Sequence, residues 1–125
     1  MGKASSVPII RVVLTPFPGS TTANWQTGEA PITTIGAASA ITLVHSLFLD
    51  INALAGTITP RLYTNINGVQ RQVYSQNFTV ALDGPGLWII NGILAVYGTL
   101  IVTVQSNAVA DNGKAIGWEY ILGGT

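Results

Sequence analysis

The chain has 125 residues, of which five are Lys or Arg, five are Asp or Glu and none is Cys. Only 8% of the residues are charged and the net charge is zero, whereas a typical soluble domain carries about 25% charged residues. This balance argues against the basic surface that nucleic-acid binding requires, and the lack of Cys excludes disulfides and thiolate metal sites. A surface with so few ions is desolvated at little cost, which favours permanent assembly with other protein subunits.

The pattern of short β-branched runs separated by Gly, Pro, Asn and Asp is typical of an all-β domain. We expect one domain over residues 1–125, with a flexible arm at residues 1–7. The regular spacing of the runs predicts an antiparallel β-sandwich of jelly-roll kind, or a small barrel.

The first half of the chain begins with a predicted strand at residues 8–15 and a long loop at residues 16–31, and loops of that length tend to be functional. The turn Asn67-Gly68 is typical of a two-residue type I′ hairpin, in which Ile66 pairs with Val69 and Leu62 with Val73. Strands are predicted at residues 40–50, 57–66 and 69–75.

The second half of the chain contains an apolar stretch at residues 87–104 that is long enough for a membrane-spanning helix. Its β-branched and aromatic residues, and the interruptions at Asn91-Gly92 and Gly98, favour strands instead, and we expect no membrane span. The predicted strands cover residues 77–82, 87–90, 93–97, 99–106 and 115–122, with turns at 83–86 and 111–113.

Groups that carry chemistry are few, and we expect no catalytic residue, no metal site and no cofactor. His45 is the only histidine; because adjacent strand residues point to opposite faces, His45 and Ser46 do not form a nucleophile–base pair. We expect a hydrogen-bonded strand histidine, with a small enzyme built around His45 as a competing hypothesis.

Asp50, Asp83 and Asp111 lie at strand ends or turns, where a carboxylate usually accepts hydrogen bonds from its own turn backbone. Whether two of the carboxylates form a glycosidase-like pair depends on the distance between them in the folded chain.

Exposed aromatic residues are the remaining candidates, because they mark protein interfaces and carbohydrate platforms. Trp118 shares a strand face with Tyr120 and is predicted to lie in or near the core. Trp25 lies in the long loop and Trp88 beside a Gly-Pro-Gly turn, so both are predicted to be exposed. The candidate interface residues are Phe17, Trp25, Arg71 and Trp88.

The segments VQRQVY at residues 69–74, NFTV at 77–80 and DNGKAIGWEY at 111–120, together with Trp88, resemble those of small tailed-bacteriophage structural proteins. In particular, this half of the chain resembles β-sandwich head decoration (cement) proteins. The resemblance implies a non-enzymatic protein, made in the host cytoplasm, that sits on the capsid surface as a homo-oligomer, with a trimer favoured. Its partner would be the major capsid protein or another virion protein. The alternative is a carbohydrate-binding or receptor-binding β-sandwich module of a tail or fibre, with Trp25 or Trp88 as its platform.

Overall fold

The computed structural model describes residues 13–124, so the predicted arm and most of the first predicted strand lie outside the described residues. Within that range the chain forms six strands, one short helix and one 3-10 turn. The strands are β1 (Val13–Asn24), β2 (Ala30–Asp50), β3 (Ile58–Ile66), β4 (Val69–Ser75), β5 (Gly86–Ser106) and β6 (Asn112–Gly124), with helix α1 at Val80–Asp83 and the 3-10 turn at Val109–Asp111.

All six strands join one antiparallel sheet in the order β1-β6-β2-β5-β3-β4. The two 21-residue strands, β2 and β5, change neighbours along their length. Residues 43–50 of β2 lie between β6 and β5, whereas residues 30–36 pair with β5 alone. Residues 100–104 of β5 lie between β2 and β3, whereas residues 86–97 pair with β2 alone.

The sheet therefore consists of two groups of four strand segments that share β2 and β5. The first group runs β1, β6, second half of β2, first half of β5, and the second group runs first half of β2, second half of β5, β3, β4. The prediction of an all-β, antiparallel fold is confirmed. The eight segments match the strand number of a jelly roll, but hydrogen bonds join both groups in one sheet, so the jelly-roll sandwich stays a prediction.

Both long strands pass from one group to the other at a glycine with positive φ. The φ angles are 90° at Gly36 and 87° at Gly98. A Cβ atom on Gly36 would lie 2.6 Å from the carbonyl oxygen of Gly98, so any side chain at position 36 would collide with the neighbouring backbone. Pairing of the two strands lapses here and resumes at Ile41 opposite Tyr97.

The long loop predicted at residues 16–31 is wrong, because most of it is strand. β1 extends to Asn24 and β2 begins at Ala30. Proline is tolerated at a sheet edge, where the missing N–H is not needed. β1 pairs with β6 on one side only. Pro16 and Pro18 are two residues apart, so the backbone nitrogens that lack an N–H lie on the same side of the strand.

Two further element predictions are wrong. The segment predicted as a strand at residues 77–82 contains helix α1, because Thr79 caps it: its side chain accepts from the Leu82 N–H at 3.2 Å, and Asp83 accepts from the Thr79 N–H at 2.9 Å. The three strands predicted between residues 87 and 106 are one strand, β5, since Asn91-Gly92 and Gly98 produce irregularities in the ladder rather than turns.

The hairpin at Asn67-Gly68 is confirmed, with φ angles of 52° and 80° at the two turn residues. Ile66 pairs with Val69 as predicted. The predicted pairing of Leu62 with Val73 is wrong, because a bulge makes Tyr74 the partner of Leu62 and leaves Val73 as the extra residue.

One hydrophobic core collects side chains from both groups of strand segments. In the first group Leu47 and Leu49 alternate with outward-facing neighbours, as a half-buried strand requires. In the second group Leu100, Val102 and Val104 are buried, and Thr103 between the two valines is buried as well. The other fully or nearly fully buried apolar residues are Trp25, Ile32, Ile35, Val44, Ile51, Leu54, Ile58, Leu62, Leu87, Ile90, Val96 and Ile116.

A buried carboxylate, that of Asp111, ties the connections at one end of the sheet together. It accepts hydrogen bonds from the backbone N–H groups of Ala55 at 2.7 Å and Gly56 at 3.0 Å, and from the Ser106 hydroxyl. A Cβ atom on Gly56 would lie 2.7 Å from the Cβ atom of Ala108, so the β2–β3 connection approaches this carboxylate closely only because residue 56 is glycine.

The pKa of Asp111 lies below its ordinary value of 3.8. Burial raises this pKa, but the hydrogen bonds from Ser106, Ala55 and Gly56, together with the charge of Lys114, outweigh burial. Burial raises the pKa of Glu29 as well, but the hydrogen bonds from Thr103 and Arg61, the nearby Tyr63 hydroxyl and the charge of Arg61 outweigh burial, so this pKa is also lowered.

We predict that Asp111→Asn lowers the free energy of unfolding by about 3 kcal/mol, because the amide cannot accept from every donor that the carboxylate satisfies. Urea denaturation at one fixed protein concentration measures the loss, since oligomerisation would make the midpoint concentration-dependent. Asp83→Asn is the matched control at an exposed cap and is expected to cost less than about 1 kcal/mol. Equal midpoints for the two variants would contradict the role given to Asp111.

We also predict that stability falls in acid. A carboxylate whose pKa is lowered by folding stabilises the protein fully above its unfolded pKa and loses that contribution as the pH falls through the folded value. The free energy of unfolding should therefore decline as the pH drops below the ordinary values of 4.5 for Glu29 and 3.8 for Asp111. Denaturation across a pH series measures this decline, and it should be shallower in Asp111→Asn. Identical slopes would count against the lowered pKa.

Candidate functional site

Trp25 lies in the core, so its predicted exposure is wrong. Its ring is 0% exposed, and its Nε1–H donates to the carbonyl oxygen of Lys114 at 2.7 Å. Its own carbonyl oxygen accepts from the N–H of Ser106 at 3.0 Å. The connection between β1 and β2 thus folds inward and plugs one end of the core, which removes this ring from any contact with a partner.

The other three candidate interface residues are exposed or partly exposed but lie far apart in the sheet order. Phe17 lies on the edge strand β1 and stacks on Tyr120 at 5.1 Å between ring centroids. Arg71 lies on the opposite edge strand, β4, opposite Thr64. Trp88 lies on the first half of β5. The structure does not bring these residues together in one site.

His45 does not have the hydrogen bond that was expected, because its Nε2 atom is buried without a partner. The residue lies in a β2 bulge between Val44 and Ser46, which turns its ring toward Gly123; a Cβ atom there would collide with the ring. Among residues 13–124 no hydroxyl or carboxylate reaches Nε2, so this part of the chain provides no nucleophile–base pair at His45.

The three aspartates divide into two local caps and one long-range tie. Asp50 accepts from the N–H of Asn52 at 2.9 Å and Asp83 caps α1, which confirms the expectation of local hydrogen bonds. For Asp111 that expectation is wrong, because its backbone donors lie more than fifty residues away. Residues 13–124 contain no group of three His, Asp or Glu side chains placed to hold a metal ion. No helix in that range has the length and apolarity needed to cross a membrane.

A row of four side chains crosses the outer face of the first group of strand segments, the face opposite the core. Pro18 pairs with Glu119, Glu119 with Phe48, and Phe48 with Trp88. Directly paired side chains share a face at about 4.5–5.5 Å between Cβ atoms. The rings of Phe48 and Trp88 stack with centroids 5.5 Å apart and planes inclined by 19°. Trp88 is 56% exposed, so the pair forms an open aromatic wall.

The next row on the same face forms the floor of a groove beside this wall. It consists of Gly117, Asp50 and Gly86, which pair in that order across β6, β2 and β5. The two glycines leave the floor low on either side of Asp50. The resulting groove has a volume of about 470 Å³, within the range of small-ligand sites. Phe48 and Glu119 of the first row and the three floor residues line it, whereas Trp88 does not line it and stacks on Phe48. We call it the Trp88 groove after that neighbouring ring.

The free edge of β5, residues 86–97, is the second notable surface. Within residues 13–124 no strand pairs with the side of this segment that faces away from β2. A cavity of about 400 Å³ separates the segment from β4. The exposed apolar side chains along this edge and beside it are Ile41, Val73, Ile93, Leu94 and Tyr97.

The two edges of the first group differ in chemistry. β1 carries Pro16 and Pro18, and proline is one of the devices that prevent an edge strand from pairing with another chain. The free edge of β5 has no proline after Pro85, and no charged residue lies between Asp83 and Asp111. An uncharged, apolar and unpaired edge is the kind that accepts another chain.

Comparison with known proteins does not place the chain in a family. No family model matches the sequence, and no curated protein matches it. Among solved structures the chain is similar to one described as "Crystal structure of PirA", with 15% sequence identity over 87% of this chain and 93% of that chain and a TM-score of 0.48.

Proposed function

We propose that this protein is a non-enzymatic structural protein that forms a homo-oligomer through the free edge of β5, and that it decorates the outer surface of a virus capsid. The observation that carries the proposal is the exposed apolar edge. A free protein with such an edge is prone to uncontrolled pairing, and a second copy of the same chain covers it in a defined way.

The charge distribution supports a second copy as the occupant. The edge lacks charges, so it meets the surface of another copy without charge repulsion and without desolvating ions of its own. Burial of a large aliphatic side chain stabilises an interface by roughly 1.5–3 kcal/mol. Ile93 and Tyr97 are 69% and 66% exposed, so most of that stabilisation is unused in the single chain.

The capsid position and the trimer are supported by the resemblance of the segments around Arg71, Phe78 and Trp118 to head decoration proteins. In a trimer the contact is heterologous: the edge of one copy meets a different surface of the next, and the ring closes after three copies. The partner on the shell is then the major capsid protein or another virion protein.

We predict that Ile93→Lys abolishes the homo-oligomer, because it places a charge in a desolvated contact. A loss of affinity of at least about 100-fold corresponds to about 2.7 kcal/mol. Light scattering coupled to size-exclusion chromatography should give about three chain masses for the wild type and one for the variant. Val109→Lys is the matched control, since Val109 is 70% exposed but lies outside the edge, and it should remain trimeric.

The oligomer should also keep its mass between low and moderate salt, because the edge of β5 brings no charge to the contact and so forms no ion pair across it. A wild-type chain that elutes as a monomer at high concentration would contradict the proposed assembly. So would an Ile93→Lys variant that keeps the wild-type mass.

We predict that cryo-electron microscopy of virions containing this chain places it on the outside of the capsid. The expected density is a three-fold feature in contact with several capsid subunits. Density confined to the tail or baseplate would contradict the decoration role while leaving the β5 contact itself intact.

A further inference from the structure

We infer that the Trp88 groove and the exposed Trp88 ring beside it form a saccharide-binding site for one or two sugar units. The sugar contacts Phe48 and the carboxylates of Asp50 and Glu119 in the groove, and the Trp88 ring next to it. This inference does not depend on the capsid role. It follows from which side chains the strand register brings to one face.

The aromatic wall supplies the apolar contact. A sugar ring has C–H-rich faces that pack on aromatic surfaces, and Trp combines a large apolar area with a polar N–H. More than half of the Trp88 side chain is exposed although apolar burial would stabilise it. The Phe48 ring supports it from one side, so the wall is held in place before a ligand arrives, which lowers the entropic cost of binding.

The carboxylates supply the hydrogen bonds. Glu119 lies beside Phe48 in the wall, and Asp50 lies diagonally from Glu119 in the floor. Diagonal neighbours in an antiparallel pair are roughly 7–8 Å apart, a spacing that suits separate hydroxyl groups of one ligand. Each carboxylate has about four acceptor positions, and Asp50 uses one on the N–H of Asn52. Among residues 13–124 neither carboxylate has an ion-pair partner.

The geometry favours a sugar over an organic cation, which is the other ligand that aromatic rings and carboxylates attract. A cation is bound over ring faces, and the tightest sites enclose it in an aromatic cage. Here the two rings are nearly parallel and stack on each other, so they form a wall and not a cage. The groove is also open and extends across β6, β2 and β5, which suits an extended ligand.

The glycine floor offers a way to block the groove without touching the wall or the carboxylates. A Cβ atom on Gly86 would meet nothing within 4 Å, and Gly86 faces the same side as its partner Asp50. Gly86→Leu therefore fills the groove and is expected to fold. Gly28→Leu is its matched control, because a Cβ atom on Gly28 also meets nothing within 4 Å.

The experiment is a two-dimensional NMR titration of the full-length chain that follows the indole N–H of Trp88. The probes are neutral oligosaccharides of glucose, galactose, mannose and N-acetylglucosamine, with choline as the organic-cation probe. We expect at least one oligosaccharide to shift the Trp88 signal with a dissociation constant of the order of 1 mM. Trp25, whose ring is in the core, provides an internal signal that should not move.

Variants show whether the shift comes from the groove. Trp88→Ala, Glu119→Gln and Gly86→Leu should weaken oligosaccharide binding at least about tenfold, whereas Gly28→Leu and Asp83→Asn should bind as the wild type does. Binding is followed in Trp88→Ala by the shifts of the backbone N–H groups of Gly86 and Gly117.

Two results would overturn the inference. One is the absence of a Trp88 shift with every oligosaccharide at tens of millimolar, and the other is a response to choline alone. An unchanged oligomer mass in Glu119→Gln separates this test from that of the proposed assembly, since Glu119 lies on β6, away from the free edge of β5.

Discussion

The hydrogen bonds accepted by the Asp111 carboxylate hold together the connections at one end of the molecule. In a chain with only five acidic residues, one is fully buried and receives two backbone N–H groups and a hydroxyl. Those donors come from the β2–β3 connection and from the end of β5, so the carboxylate fixes two connections against each other. The neighbouring Asn112 side chain accepts from the N–H of Gln26 at 2.8 Å and brings in the β1–β2 connection. Three connections are therefore tied together at this end by hydrogen bonds, without a disulfide.

Features that depend on neighbouring residues could be predicted from the sequence, whereas features that depend on residues far away in the chain could not. Asn67-Gly68 encodes its own turn through the φ angles that those residues tolerate, and that hairpin is confirmed. Trp25 looked exposed because its neighbours are polar and small. It is buried because Lys114, 89 residues away, offers a carbonyl oxygen to its indole N–H, and no local pattern encodes that partner. The donors to Asp111 were missed for the same reason.

The Trp88 groove also combines features that depend on neighbouring residues with features that depend on distant ones. Strand alternation alone could have placed Glu119 on the face opposite Trp118, and Trp88 on the face opposite Leu87. It could not place Glu119 and Trp88 in one row, because that requires β6 to pair with β2 and β2 with β5, and registers between strands far apart in sequence depend on the assembled core. The bulges near His45 and after Leu47 shift that register further. The Trp88 groove is a property of the pairing, and its signal in the sequence was only an aromatic residue beside a Gly-Pro-Gly turn.

The Trp88 groove and the free edge of β5 lie at different points along the same strand, so both can be used at once. Gly86 lines the groove and residues 93–97 carry the apolar edge; at about 3.3 Å per residue, Gly86 and the centre of that edge are roughly 30 Å apart along an extended strand. Association through the edge therefore leaves the groove open. A single shallow site of the kind inferred here binds weakly, but sites joined in one rigid oligomer act together, and linkage of this kind raises overall affinity by about 10²–10⁴ when the geometry allows simultaneous binding. If the chain assembles as proposed, its copies together would bind a multivalent saccharide more tightly than one copy does.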